Sequence, residues 1–421
     1  MRNLGRIFAG GAALAILAAG VAQAQTIEKL DWIGHNAEGL QLREMGRYAI
    51  GYDQDWIIPP AATHVVKNAD GTTTETLDLP PSPHQTQPRP YTHYTYAWPG
   101  IYFDARFEGD KFFFVTNDSE NILSLLVDGK VIGQLEKPGK AQYAVQGLNW
   151  GIHEVRLEKL TESQSGTGRF DGFYISQPQS HGLPPGEKLE IALEPAHLAR
   201  QIEFIGDSYT VGYGNTAGKR TCTKDEIWAT TDTSQAFGPL TAKHYNADYQ
   251  INAFSGLGMV RNYDGREHPK YHMPMLYDRA IFDDATPASQ PDWHPQVIVI
   301  GIGGNDFSTP VRPDEPWHDA ATLRADYVKT YTAFVKTIRA RNPTAFIILA
   351  TPPGREEGYS GGTDDVFAAM KAAGDTQIDR VTLPELDRIG CNGHPSTRAD
   401  ARVADFYIQY LTDHPQVWQG K

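Results

Sequence analysis

Four short apolar runs in the second half of this chain, at residues 202–205, 249–253, 297–300 and 346–349, narrow its fold more than any other feature. Each has the length of a buried strand. Between the last two lies a stretch of helical spacing, with Leu323, Tyr327, Tyr331, Phe334 and Ile338 on one face and Asn342-Pro343 at its end. A second helical stretch, 397–411, carries Val403, Phe406, Tyr407, Tyr410 and Leu411 on one side. Strands alternating with helices predict a parallel sheet with helices on its faces. Such sheets gather reactive groups outside the carboxyl ends of their strands. Here three of the runs lead into glycine-bearing loops: Gly206-Asp207-Ser208, Ser255-Gly256-Leu257-Gly258 and Gly301-Ile302-Gly303-Gly304-Asn305-Asp306.

The first half reads differently. Residues 101–107 and 151–157 alternate, 111–115 is an aromatic run, and 122–127 leads into Asp128-Gly129, a strong hairpin signal. Many short strands with turn signals predict an all-β sandwich, in particular a jelly roll. A Pro/Thr/His-rich stretch at 59–99 reads as a long loop over it. The segment QPQSHGLPPG, 177–186, reads as a linker. The expected layout is a β domain over 25–176, a linker over 177–199 and an α/β domain over 200–421.

Residues 1–24 read as a secretory signal: Arg2 and Arg6, an apolar stretch over 7–21, then Ala22-Gln23-Ala24 as a cleavage site. The mature chain is expected in the periplasm or outside the cell, with no membrane insertion after cleavage. Removing Arg2 and Arg6 leaves 36 basic against 51 acidic residues, a net charge of −15. That charge repels phosphate backbones and anionic lipid, which counts against nucleic acid and membrane surfaces as partners. The only cysteines, Cys222 and Cys391, are expected to form a disulfide in an oxidising compartment. None of the 14 histidines has the spacing of a metal motif, so no metal or cofactor is expected.

Ser208 stands where a strand runs into a tight turn. A serine hydroxyl needs a base to take its proton, and His394, ahead of Pro395 and the last helix, is placed to serve. The oxyanion of a tetrahedral intermediate needs fixed donors, for which Ser208 N–H, Gly256 N–H and the Asn305 amide are candidates.

The order GDS, a glycine loop, GxND and a C-terminal HP resembles the SGNH (GDSL) hydrolase superfamily. The longer strings GDSYTVGYGN, SGLG and GGNDFS resemble carbohydrate esterase family 2. The resemblance implies an N-terminal jelly-roll sandwich joined to a C-terminal SGNH domain. It implies removal of acetyl esters from acetylated polysaccharides or oligosaccharides such as xylan, mannan and glucomannan, without metal or cofactor. It makes Ser208 the nucleophile, His394 the base, and Ser208, Gly256 and Asn305 the oxyanion hole. One departure stands out. Superfamily members commonly carry Asp three residues before the histidine, and some members of this family two before, where this chain has Cys391 and Asn392. A Ser–His dyad is therefore expected, with His394 Nδ1–H held by a backbone carbonyl or by Asn392 Oδ1. The competing readings are another SGNH activity, such as a lipase or thioesterase, and a carbohydrate-binding protein with an inactive SGNH domain.

Overall fold

The computed structural model describes residues 25–30, 37–53, 62–67, 73–78, 91–176, 188–288, 290–354 and 356–419. The segment read as a signal, 1–24, lies outside them.

Two antiparallel sheets form the N-terminal domain. In one, the strands run in the order Thr26–Leu30, Gly139–Gln146, Phe112–Asp118, Gly168–Ser176, Tyr91–Tyr96 and Tyr48–Asp53. In the other the order is Lys130–Glu136, Ile122–Val127, Gly151–Lys159, Tyr102–Gly109 and Ile191–Leu193. Alternate side chains point inward, so Phe103, Phe107, Phe112, Phe114, Phe170 and Phe173 fill the space between the sheets. The Asp128-Gly129 hairpin forms as expected, both residues having positive φ (50° and 74°).

Two expectations need correction. The stretch 59–99 is not one loop: Ala62–Lys67 pairs with Thr73–Asp78, and Tyr91–Tyr96 lies between two strands of the first sheet. Its Thr and His residues suggested a polar loop, yet β-branched and aromatic residues suit a pleated surface. The expected linker 177–199 contains Ile191–Leu193, which pairs with Tyr102–Gly109 and so belongs to the sandwich. Residues 177–187 lie outside the described residues.

The C-terminal domain is a five-stranded parallel sheet. Its spatial order is Ala247–Ala253, Arg200–Gly206, Val297–Gly301, Phe346–Thr351, Ile378–Thr382. Successive residues face opposite sides, which divides the core in two. Ile298, Ile300, Ile347 and Leu349 pack with the helices Ala320–Arg341 and Gly361–Ala372. Phe204, Val299, Ile348 and Ala350 pack with Phe237–His244 and Thr397–Asp413. Asp319 and Thr322 form a capping box at the start of the long helix, which stops at Asn342-Pro343. The strand order reverses between Arg200–Gly206 and Val297–Gly301, and there Ser208 and Asn305 leave the sheet.

The sandwich docks on the open edge of this sheet. The edge strand Ala247–Ala253 is buried along its whole length. Arg43 of the sandwich is paired with both Asp104 and Asp248, and Tyr102 Oη donates to Asp248 Oδ1 at 2.8 Å. Tyr249 Oη donates to Glu158, and Arg47 Nε donates to Asn252 Oδ1 at 2.9 Å. Among the described residues, no helix is long and apolar enough to cross a membrane, and no cluster of His, Cys, Asp and Glu is arranged to hold a metal ion.

Candidate active site

Ser208 opens the four-residue helix Ser208–Val211 at the end of its strand. Asp207 caps that helix, Oδ1 accepting from Tyr209 N at 3.1 Å, and Gly212 ends it in the left-handed conformation. The turn leaves Ser208 Oγ 2.8 Å from His394 Nε2. On the far side of the ring, His394 Nδ1 lies 2.9 Å from the Cys391 carbonyl oxygen. A carbonyl only accepts, so Nδ1 carries the proton and Nε2 offers its lone pair to the serine hydroxyl. Burial pulls the imidazole down to about 4, with the Cys391 carbonyl opposing and Arg388 adding to the fall. The ring is therefore neutral at neutral pH. Tyr209 and Tyr213 flank it, with ring centroids at 5.6 and 4.4 Å. A hydroxyl hydrogen-bonded to a neutral, oriented imidazole can be deprotonated as it attacks a carbonyl.

The donors lie on two further loops. Neither Ser208 N–H nor Gly256 N–H donates to an acceptor among the described residues. Gly256 has φ +86°, a left-handed conformation that strains any residue with a Cβ, which favours glycine there. Asn305 Nδ2 donates to Leu257 O at 2.8 Å and, over a longer 3.3 Å, to Asp207 Oδ2. Its second bond is the one a stronger acceptor would displace. Asp306 ties the two loops together by accepting from Met259, Val260 and Arg261 N–H at 2.8–3.0 Å. Burial raises its carboxyl to about 6, against the pull of those three bonds.

Ser208, Asn305, His394, Asn392, Tyr263 and Arg388 are among the residues lining a cavity of about 320 Å³. Gly256 is tied to this wall through Tyr263 N, which donates to Gly256 O at 2.8 Å. Cys222 and Cys391 are joined by a disulfide with Cα atoms 5.4 Å apart. Of the two groups proposed to hold Nδ1, the backbone carbonyl is the one in place. Asn392 does not orient the histidine: it sits at φ +53°, which carries its side chain to Tyr213, where Nδ2 donates to Oη at 3.2 Å. Arg388 and Tyr213 are site residues that the sequence reading passed over. Tyr213 lies inside the GYGN string and was open to notice. Arg388 stands in an aperiodic stretch with no signal.

Comparison with known proteins decides the family. Residues 86–185 match the family described as carbohydrate esterase 2 N-terminal, and 204–404 match the GDSL-like lipase/acylhydrolase family. An acetylxylan esterase / glucomannan deacetylase from Cellvibrio japonicus (strain Ueda107) is 42% identical over 325 residues, 77% of this chain and 87% of that protein. The chain belongs to carbohydrate esterase family 2. It is a carboxylic ester hydrolase. Among solved structures, the esterase resembles a carbohydrate esterase whose active site is described as having divergent catalytic and non-catalytic binding functions. That match has a TM-score of 0.74 and 36% identity, covering 90% of this chain and 100% of the other. It also resembles a family two carbohydrate esterase from Clostridium thermocellum in complex with cellohexaose, with a TM-score of 0.63 and 25% identity over 77% of this chain and 95% of that one. The jelly-roll sandwich and SGNH domain expected from the sequence are the architecture of this family.

Proposed function

We propose that this esterase is exported and removes O-acetyl groups from xylan- or glucomannan-type polysaccharides or their oligosaccharides through a Ser208–His394 dyad. The observation that carries the reading is the 2.8 Å contact of Ser208 Oγ with an imidazole whose other nitrogen is held by a carbonyl. Ser208 Oγ attacks the acetyl carbonyl carbon while His394 Nε2 takes the hydroxyl proton. Ser208 N–H, Gly256 N–H and Asn305 Nδ2 donate to the oxyanion, the last giving up its long bond to Asp207. The tetrahedral intermediate collapses, and the sugar hydroxyl departs with the proton from Nε2. Water, deprotonated by the same nitrogen, then hydrolyses the acetyl-enzyme. With no carboxylate behind the ring, the Cys391 carbonyl dipole is what faces the imidazolium. The substrate class rests on the Cellvibrio relative, and export rests on residues 1–24.

Acetate release from acetylated xylan and acetylated glucomannan tests this reading. Ser208→Ala and His394→Ala should each lose about 10³-fold or more in kcat. Asn392→Ala should keep a substantial share of the activity, since its side chain meets Tyr213 and not His394. Full activity in Ser208→Ala would leave a different centre, or a binding role, for the cavity.

A further inference from the structure

A turn of the sandwich reaches the loop that carries Gly256. Ser163 Oγ donates to Ala253 O at 2.8 Å, and Gln164 Nε2 donates to Ser255 O at 2.7 Å. Both acceptors lie where the edge strand runs into the loop that carries Gly256. The second bond has a particular consequence. Ser255 C=O and Gly256 N–H belong to the same peptide unit, which is planar and trans, so they point in opposite directions. Whatever fixes the direction of that carbonyl fixes the direction of the N–H. A donor on the carbonyl also polarises the peptide and makes its N–H a stronger donor.

The turn is rigid enough to serve as such an anchor. Lys159 Nζ donates to the carbonyls of Ala97, Thr161 and Glu162 at 3.1, 2.8 and 2.8 Å. Thr161 Oγ1 donates to Asn121 Oδ1 at 2.7 Å, and Thr233 N of the catalytic domain donates to Leu160 O at 3.0 Å. Glu162 lies against Ser255, and burial raises its carboxyl to about 7. On the other side of the donor, Tyr263 N holds Gly256 O, so the peptides before and after Gly256 are both clamped.

We propose that Gln164, supported by Ser163, is a positioning residue for ester hydrolysis: from the sandwich domain it holds the Ser255–Gly256 peptide so that Gly256 N–H faces the oxyanion. The proposal rests on the Ser208–His394 reading above. It makes the sandwich a structural part of the catalytic centre.

The test uses full-length Gln164→Ala, Gln164→Glu and Ser208→Ala with p-nitrophenyl acetate and acetylated xylan. Glutamate fills the same space but sets a carboxylate oxygen against the Ser255 carbonyl. A packing role for Gln164 would be rescued by Glu, whereas a donor role makes Glu worse than Ala. We expect kcat to fall severalfold in Gln164→Ala and about tenfold or more in Gln164→Glu, with KM within about twofold of wild type and the thermal midpoint little changed; loss of one oxyanion donor outright costs about 10²–10³. If Ser208→Ala is inactive while Gln164→Glu keeps the wild-type kcat, the positioning role is overturned and the dyad stands. If Ser208→Ala is as active as wild type, both readings fall. Should Gln164→Glu not fold, the kcat of Gln164→Ala, falling with KM unchanged or not falling, decides the question.

Discussion

In the proposed mechanism, His394 works without the anionic partner that usually stabilises a catalytic imidazolium. In its place stands the Cys391 carbonyl, a dipole that fixes the tautomer but contributes less to the charged form than a carboxylate. The balance is then set by burial, which favours the neutral ring and draws it down to about 4. The sign for catalysis follows directly. The base is competent when unprotonated, and a lowered value keeps it unprotonated into acid. The acid limb of kcat/KM should accordingly have its midpoint near 4, well below the ordinary histidine value of about 6.5. A profile of kcat/KM from acid to neutral pH on an acid-stable acetyl ester checks this. A midpoint near or above 6.5 would mean that an anionic group assists His394.

Within the turn Cys391–Gly393, it is the backbone and not a carboxylate that orients the histidine ring. Cys391 contributes three separate fixings: its carbonyl meets His394, its N–H donates to Gly214 O at 3.2 Å, and its sulfur is bonded to Cys222. A side chain on Gly214 would stand 2.3 Å from Cys391 Cβ, so this contact requires glycine. The disulfide thus ties the segment after Ser208 to the segment before His394. Cys222→Ser leaves the Cys391 backbone bonds intact but frees the loop. It should lower stability by about 2–4 kcal/mol and reduce kcat severalfold, and reductant should do the same to wild type but not to the variant. Urea unfolding and acetate release, with and without dithiothreitol, measure both effects. Much of this element was open to reading in the sequence, and some was not. Two cysteines in a chain read as exported suggest the bond, and GDS and HP suggest the two loops it ties together. Which group would hold Nδ1 was not legible, because it depends on the positive φ of Asn392 turning that side chain away. The strand Ile378–Thr382 escaped for a simpler reason: Asp379 and Arg380 interrupt its apolar pattern, as an edge position allows. Gln164 lies 91 residues before the carbonyl it holds, and no local pattern records a contact across domains.

For the molecule as a whole, the sandwich solves two problems. An open parallel sheet presents unpaired backbone at its edge, and here the edge strand Ala247–Ala253 is covered along its length. The cover also buries charge. Arg43 is 8% exposed and lies between Asp104 of the sandwich and Asp248 of the sheet, while Glu158 and Tyr249 meet across the same boundary. Separating the domains would break the Arg43–Asp248 and Tyr249–Glu158 pairs and strand their charges in a partly apolar surface. Removing one partner of a buried pair typically costs about 3–5 kcal/mol, because the other charge is left uncompensated. Arg43→Met keeps most of the side-chain volume and removes the charge from between two aspartates. It should therefore destabilise the protein by about 3 kcal/mol. The form of the loss matters as much as its size. If sandwich and catalytic domain are one cooperative unit, calorimetry shows a single transition that moves down as a whole in the variant, and activity is lost at the same temperature as tertiary structure. Two resolved transitions, only one of them shifted by Arg43→Met, would mean that the domains unfold independently. The interface would then be a docking contact, with no part in holding the edge strand and its active-site loop together.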